Sequence, residues 1–197
     1  SGTDLDGEAW ASPPSIGCDE YRVGEVTGPL SVAIAAAFTN VAAGYSLGFT
    51  ALTEGRTAAT VWDFGDGQGP TNRPYVNHAW ALPGYYAVVL RGYNESQPSG
   101  ISATVMVHVV TPPVHYVAAG NGHPVAPYTS WAAAAANIQA AVDAATVPGA
   151  WVLVTNGTYA TGGWPLYGTM DRVAVTKPLT LRSVNGPEFT TIDGGHS

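Results

Sequence analysis

Thr60-Val61-Trp62-Asp63-Phe64-Gly65-Asp66-Gly67, answered by His78 and then by Pro83-Gly84-Tyr85-Tyr86-Ala87-Val88-Val89-Leu90, decides how this chain folds. Val61-Trp62 closes an apolar strand, and the next five residues must turn sharply. Asp side chains bond their own backbone in turns, and Gly accepts the positive φ of a tight reversal. Pro83-Gly84 is a second turn, after which Tyr86, Val88 and Leu90 fall on one face of a strand of period two. The pattern reads as half of an antiparallel β-sandwich.

Working outward, Leu30–Phe38 is an apolar stretch whose Val and Ile, with Gly28-Pro29 ahead of them, favour a strand over a helix. Tyr45, Leu47 and Phe49 alternate on one face of a second strand. Ala59–Trp62, Asn77–Trp80, Tyr85–Tyr93 and Ile101–Val110 supply the rest, with Val105, Val107 and Val109 opposite Met106 and His108. Roughly seven short strands at spacings of about ten residues fit an immunoglobulin-like sandwich, with Trp62 as its expected buried anchor.

The Trp62-Asp63-Phe64-Gly65-Asp66-Gly67 turn, His78, and Pro83-Gly84-x-Tyr86-x-Val88-x-Leu90 together resemble the PKD domain, an immunoglobulin-like module of extracellular proteins. Residues 22–111 are assigned to it. Thr111-Pro112-Pro113 marks the boundary, since Pro cannot donate to a ladder and stiffens a joint.

Beyond that boundary the character changes. His115–Gly120 is a short strand, and Thr129 or Ser130 is placed to cap a helix from Trp131 to about Ala145. Trp131, Ala135, Ile138 and Val142 form one stripe on that helix, and Pro148-Gly149 stops it. Trp151–Thr155, Arg172–Thr176, Leu179–Ser183 and Thr190–Asp193 read as short strands. Residues 112–197 resemble the opening of pectate-lyase-like right-handed parallel β-helices: a Tyr116-Val-Ala-Ala-Gly120 strand, a Trp131-to-Ala145 helix, a Val152-Leu-Val-x-x-Gly-x-Tyr159 strand, then Lys177-Pro-Leu-Thr-Leu-Arg-Ser183. Residues 1–21, with Asp4-Leu-Asp-Gly7 leading to Ile16-Gly-Cys-Asp-Glu-Tyr21, resemble the closing stretch of such a helix. The fold class expected is therefore mainly β, a sandwich followed by the helix-capped start of a parallel β-helix.

Composition narrows the function. With 11% charged residues but 24 Gly and 15 Pro, the 197 residues suit short strands and many turns. A net charge of −7 with only 7 Lys and Arg disfavours nucleic acid and anionic membrane as partners. No apolar run approaches the ~18 residues of a membrane helix. The lone Cys18 excludes an intrachain disulfide. The chain opens on Ser1 without Met, as a processed protein or a piece of a longer one does. Acidic, low-charge composition is common among secreted bacterial proteins, so a secreted or cell-surface bacterial location is expected.

Chemistry-bearing motifs are sparse. Asp63 and Asp66 are the best metal candidates, with calcium as the ion, yet two carboxylates fall short of the six to eight oxygens it takes; turn capping is the competing role. Asp4, Asp6 and Gly7 begin like a calcium loop, but Ser15 stands where its closing Glu belongs. His78 is expected to bond across the sandwich, and the remaining histidines, His108, His115, His123 and His196, match no zinc spacing. Asn94-Glu-Ser96 and Asn156-Gly-Thr158 fit glycosylation acceptors, with turn residues as the alternative. Trp80, Tyr93, Trp164 and Tyr167 are candidates for stacking on sugar, against core packing as their alternative use. No nucleophile elbow, P-loop or dinucleotide fingerprint is present.

No catalytic residue and no required cofactor is thus expected. The leading expectation is a non-catalytic extracellular structural or adhesive module that links β-helical segments of a large surface or fibrous assembly. Its partners would be other copies or other domains of the same protein, meeting at open β-helix ends, with carbohydrate as a further ligand class. The alternative is a fragment of a secreted polysaccharide lyase or glycosidase with a PKD spacer or carbohydrate-binding domain.

Overall fold

The computed structural model describes residues 26–195 together with residues 10, 12 and 13. The expectations for residues 1–21 as a β-helix terminus, and those for Cys18 and His196, lie outside the described residues. The chain divides into two compact units, one of residues 26–39, 47–78 and 86–107, the other of residues 40–46, 79–85 and 108–195.

Among the described residues, seven strands form the first part of the chain: β1 (Ser31–Ala36), β2 (Asn40–Ala42), β3 (Leu47–Glu54), β4 (Ala59–Asp63), β5 (Tyr75–His78), β6 (Gly84–Asn94) and β7 (Gln97–Val110). They make one sheet of order β1-β3-β5 and another of order β2-β7-β6-β4. The alternation seen in sequence becomes inside and outside: Leu47, Phe49, Val88, Leu90 and Val107 are buried, while Leu52, Tyr85 and Met106 are exposed. Trp62, at 1% exposure, packs with Phe49 and Phe64 at ring separations of 6.1 and 6.0 Å, joining the two sheets. Its indole N–H donates to the Arg73 carbonyl at 2.8 Å, which satisfies the one polar atom of that side chain.

Asn94 is 4% exposed, and its carboxamide is fully committed. It donates to the carbonyls of Gly28 and Arg56 and accepts from the Gln97 N–H. It therefore serves as a turn residue. Strand β2, three residues beside β7, escaped the sequence reading because it is too short to show a period.

The second part holds β8 (Val114–Val117), α1 (Ile138–Ala144), β9 (Ala150–Val154), β10 (Gly157–Tyr159), β11 (Trp164–Leu166), β12 (Thr169–Asp171), β13 (Leu179–Ser183) and β14 (Thr190–Ile192). The order β13-β9-β8 is parallel throughout, and β10 pairs in parallel with β14. Two successive passes of the chain, β9 with β10 and β13 with β14, thus lie in register. These ladders are short and open. Val117, Ile138, Ala141, Val142, Val152, Val154 and Tyr159 make the core beneath them.

Three elements differ from the sequence expectation. The helix spans seven residues, not about fifteen, because its first half is claimed by the sheet. Ala135 donates to the Tyr116 carbonyl and accepts from Ala118 N–H, both at 2.9 Å, while Asn121 donates to the carbonyls of Ala132 and Ala134. Groups so engaged cannot close helical hydrogen bonds. Asn137, in extended geometry, caps the helix by accepting from Ala140 N–H; Ser130 only closes a turn with Ala133. Of the four stripe residues, Ile138 and Val142 are helical and buried, Ala135 is buried outside the helix, and Trp131 is 43% exposed, edge-on to Tyr116.

Arg172–Thr176, expected as a strand, forms none. The Gln139 carboxamide takes the place of a neighbouring strand there, accepting from Ala174 N–H at 2.7 Å and donating to Ala174 O at 3.3 Å. Finally, the hairpin β11–β12 was not foreseen.

Candidate functional site

The Trp62–Gly67 turn is built from its own side chains. Asp63 Oδ1 accepts from Gly65 N–H at 2.8 Å, and Asp66 Oδ1 accepts from Gln68 N–H at 3.2 Å. Gly65 and Gly67 sit at φ +75° and +83°, where a side chain is strained, and a Cβ on Gly65 would press on the Ala87 carbonyl at 3.1 Å. The second Asp66 oxygen lies 2.8 Å from His78 Nε2, and the His78 ring stacks on buried Phe64 with centroids 4.1 Å apart and planes within 3°. His78 thus fastens the turn to β5. Gly84 and Tyr86 begin β6 directly after Pro83, as the Pro-Gly motif implies.

Three of the four carboxylate oxygens of Asp63 and Asp66 are therefore engaged, two by local backbone N–H groups and one by His78. Among the described residues, no group of three or more His, Cys, Asp or Glu side chains converges. What the turn does chemically is to fix the β4–β5 connection.

The aromatic candidates separate. Trp80 is 2% exposed and belongs to the core, and Tyr93 is half-buried. Trp164, at 39%, and Tyr167, at 97%, are exposed on the β11–β12 hairpin, with Tyr167 at φ +50° in its turn. These two remain open to a ligand.

The most distinctive surface lies at the last strands of the parallel ladders. Asn185, just after β13, donates its amide to Asn156 Oδ1, just after β9, at 2.9 Å and 29 residues apart. The same 29-residue spacing relates every β9–β13 pair, from Ala150 with Leu179 to Val154 with Ser183. Ser183 and Thr190 hydroxyls meet at 2.7 Å, and Thr190 Oγ1 donates to the Thr155 carbonyl. Arg172 ties the neighbouring loops by donating to the carbonyls of Gly162, Asp193 and Gly194. Asn-Gly dipeptides stand at both places, 156–157 and 185–186, and their shared 29-residue spacing is the sequence signal for this pairing.

Among the described residues, no helix is long and apolar enough to cross a membrane. Residues 31–109 match the family model of the PKD domain. The search of curated proteins gave no match. Among solved structures, one of carbohydrate-binding modules from the β-sandwich superfamily is similar at 22% identity and a TM-score of 0.39, covering 49% of this chain and 39% of that one. The PKD domain of the human VPS10 domain-containing receptor SorCS2 is similar at 22% identity and a TM-score of 0.36, covering 57% of this chain and 96% of that one. A Methanosarcina mazei structural-genomics protein is similar at 23% identity and a TM-score of 0.34, over 56% and 77%. The chain thus spans well under half of the first of these.

Proposed function

We propose that this chain is a non-catalytic extracellular module, structural and adhesive, in which a PKD sandwich (residues 22–111) links β-helical segments and residues 112–197 begin one of them. The observation that supports the reading is the pair of parallel ladders, β9 with β13 and β10 with β14, formed by two successive passes of the chain after a sandwich. Solenoids bury their core only by adding further repeats, so a segment of two coils has its place in a larger stack. The secreted or cell-surface bacterial location belongs to the same proposal.

Incubation of the chain with a panel of polyuronides and neutral polysaccharides tests it, with reducing ends and unsaturated products as readouts. No turnover is expected. Sustained release of either product, lost on heat inactivation, overturns the non-catalytic reading. A second reading, a fragment of a polysaccharide lyase or glycosidase, draws on the exposed Trp164 and Tyr167, rings of the kind that stack on sugar. Turnover in the same assay is its expected result.

A further inference from the structure

A cleft of about 260 Å³ opens on the outer face of β4 and β6, lined by Val61, Asp63, Val89, Arg91 and Tyr93. These residues alternate along their strands with the buried Trp62, Val88, Leu90 and Asn94, so they turn away from the core. Asp63 stands opposite Val89, and Arg91 opposite Val61, which sets the two charges on a diagonal with the valines as an apolar floor. Diagonal neighbours in such a ladder lie about 7–8 Å apart. Tyr93 follows Arg91 on the same face of β6. The volume falls just under the ~300 Å³ at which drug-sized pockets begin, room for a single ring.

Each charged group is only partly spent on the protein itself. Asp63 Oδ1 accepts from Gly65 N–H at 2.8 Å, which leaves Oδ2. Arg91 Nε–H donates to the Ser102 hydroxyl at 3.1 Å, which leaves the two terminal nitrogens of the guanidinium. Among the described residues, neither Asp63 nor Arg91 enters an ion pair. A close approach to β7 seats the other groups. A Cβ on Gly100 would stand 2.7 Å from Tyr93 Cε1 and 2.8 Å from Arg91 Cγ, so a residue without one leaves the ring and the arginine stem their places. The cleft thus holds its acceptor, its donors and its ring in position before a ligand arrives.

Such a pair of groups selects by charge. An anion gains beside Arg91 and loses beside Asp63, and a cation does the reverse. A neutral group that both donates and accepts gains from each, and adjacent hydroxyls are such a group. We infer that this cleft binds one neutral pyranose ring of a polysaccharide. One hydroxyl donates to Asp63 Oδ2, its neighbour accepts from the Arg91 guanidinium, and the apolar C–H face of the ring lies on Tyr93 and the two valines. The inference rests on the adhesive reading proposed above and supplies its ligand class. A small zwitterion also meets both charges, but it has no apolar face to set against Tyr93.

Titration of the isotope-labelled 197-residue chain with cellotetraose, xylotetraose and mannotetraose, followed by amide NMR shifts, tests it. At least one sugar is expected to move the amides of Val61, Val89, Arg91 and Tyr93 saturably, with half-saturation at about 1 mM. Asp63→Asn puts a donor where the free acceptor was, and Arg91→Met keeps the stem without its donors. Each should weaken binding about tenfold or more, the effect of a hydrogen bond to a charged group. Where Asp63→Asn disturbs the turn, read from the Gly65 amide, Arg91→Met decides alone. Absence of saturable shifts with all three sugars up to about 50 mM overturns the inference. So do shifts confined to Trp164 and Tyr167, unchanged affinity in Arg91→Met, or tighter binding by tetragalacturonate or by glycine. Product release in the polysaccharide assay with these shifts intact sinks the non-catalytic reading and spares the cleft, whereas missing shifts without product release do the reverse.

Discussion

Gln139→Leu removes the side chain that stands in for a missing strand. Gln139 is 4% exposed; its carboxamide accepts from Ala174 N–H at 2.7 Å and donates to Ala174 O at 3.3 Å and to Asp143 Oδ1 at 2.7 Å. Leucine matches it in bulk but offers neither donor nor acceptor. Ala174, 7% exposed, is then left with a buried N–H and C=O that water does not reach. Each such orphan costs about 1–3 kcal/mol, so the variant should lose about 2–5 kcal/mol. Urea unfolding followed by circular dichroism measures the loss as a lower midpoint at unchanged slope, and amide exchange should show Ala174 N–H losing protection. Gln139→Glu gives the signed control: it keeps the acceptor for Ala174 but sets a carboxylate against Asp143. It should lose the donor to Ala174 O and to Asp143 while Ala174 N–H keeps its protection from exchange. A Gln139→Leu loss under about 1 kcal/mol, with Ala174 still protected, would refute the strand-mimic argument.

Trp62→Ala should cost about 3–5 kcal/mol through its cavity, and Trp62→Phe less, chiefly from stranding the Arg73 carbonyl; both are read from chemical unfolding. Tyr159→Phe deletes a hydroxyl that bonds the Thr155 hydroxyl, the Thr155 carbonyl and Ala119 N–H, and should cost about 1–3 kcal/mol by thermal melting. Asp66→Ala breaks the His78 bond at a part-exposed site and should cost only about 1 kcal/mol. Its clearer sign is a change in the His78 ring resonances by NMR. Gly149→Ala places a methyl 3.0 Å from the Cβ atoms of Ala42 and Tyr45 at φ +85°, and should cost about 1–2 kcal/mol in the same melts.

The sandwich was legible because its cues are local. A period of two sorted Leu47, Phe49, Val88 and Leu90 inward, and the Asp and Gly residues of the Trp62 turn could do little but close it. The shortened helix shows where local reasoning stops. The alanines of 132–136 favour a helix by propensity, yet hydrogen bonds to β8 and Asn121, distant in sequence, offer the backbone a competing partner. Trp80 illustrates the same limit: nothing in its neighbours distinguishes a sugar platform from a core residue. Beside β9 and β13, the two Asn-Gly dipeptides are visible in the sequence, but their pairing depends on a register that only the fold supplies.

Within the second part of the chain, β8, whose outer side is hydrogen-bonded by Tyr128 and Ala135, lies in the residues that a ribosome releases first. Val114–Val154 can settle against its own cover before Leu179–Ile192 has emerged, and each later pass then meets a template already in place. Parallel sheets fold slowly when distant segments must find one another, and vectorial growth from a finished end removes that search. Synthesis order and stacking order therefore coincide along β8, β9 and β13.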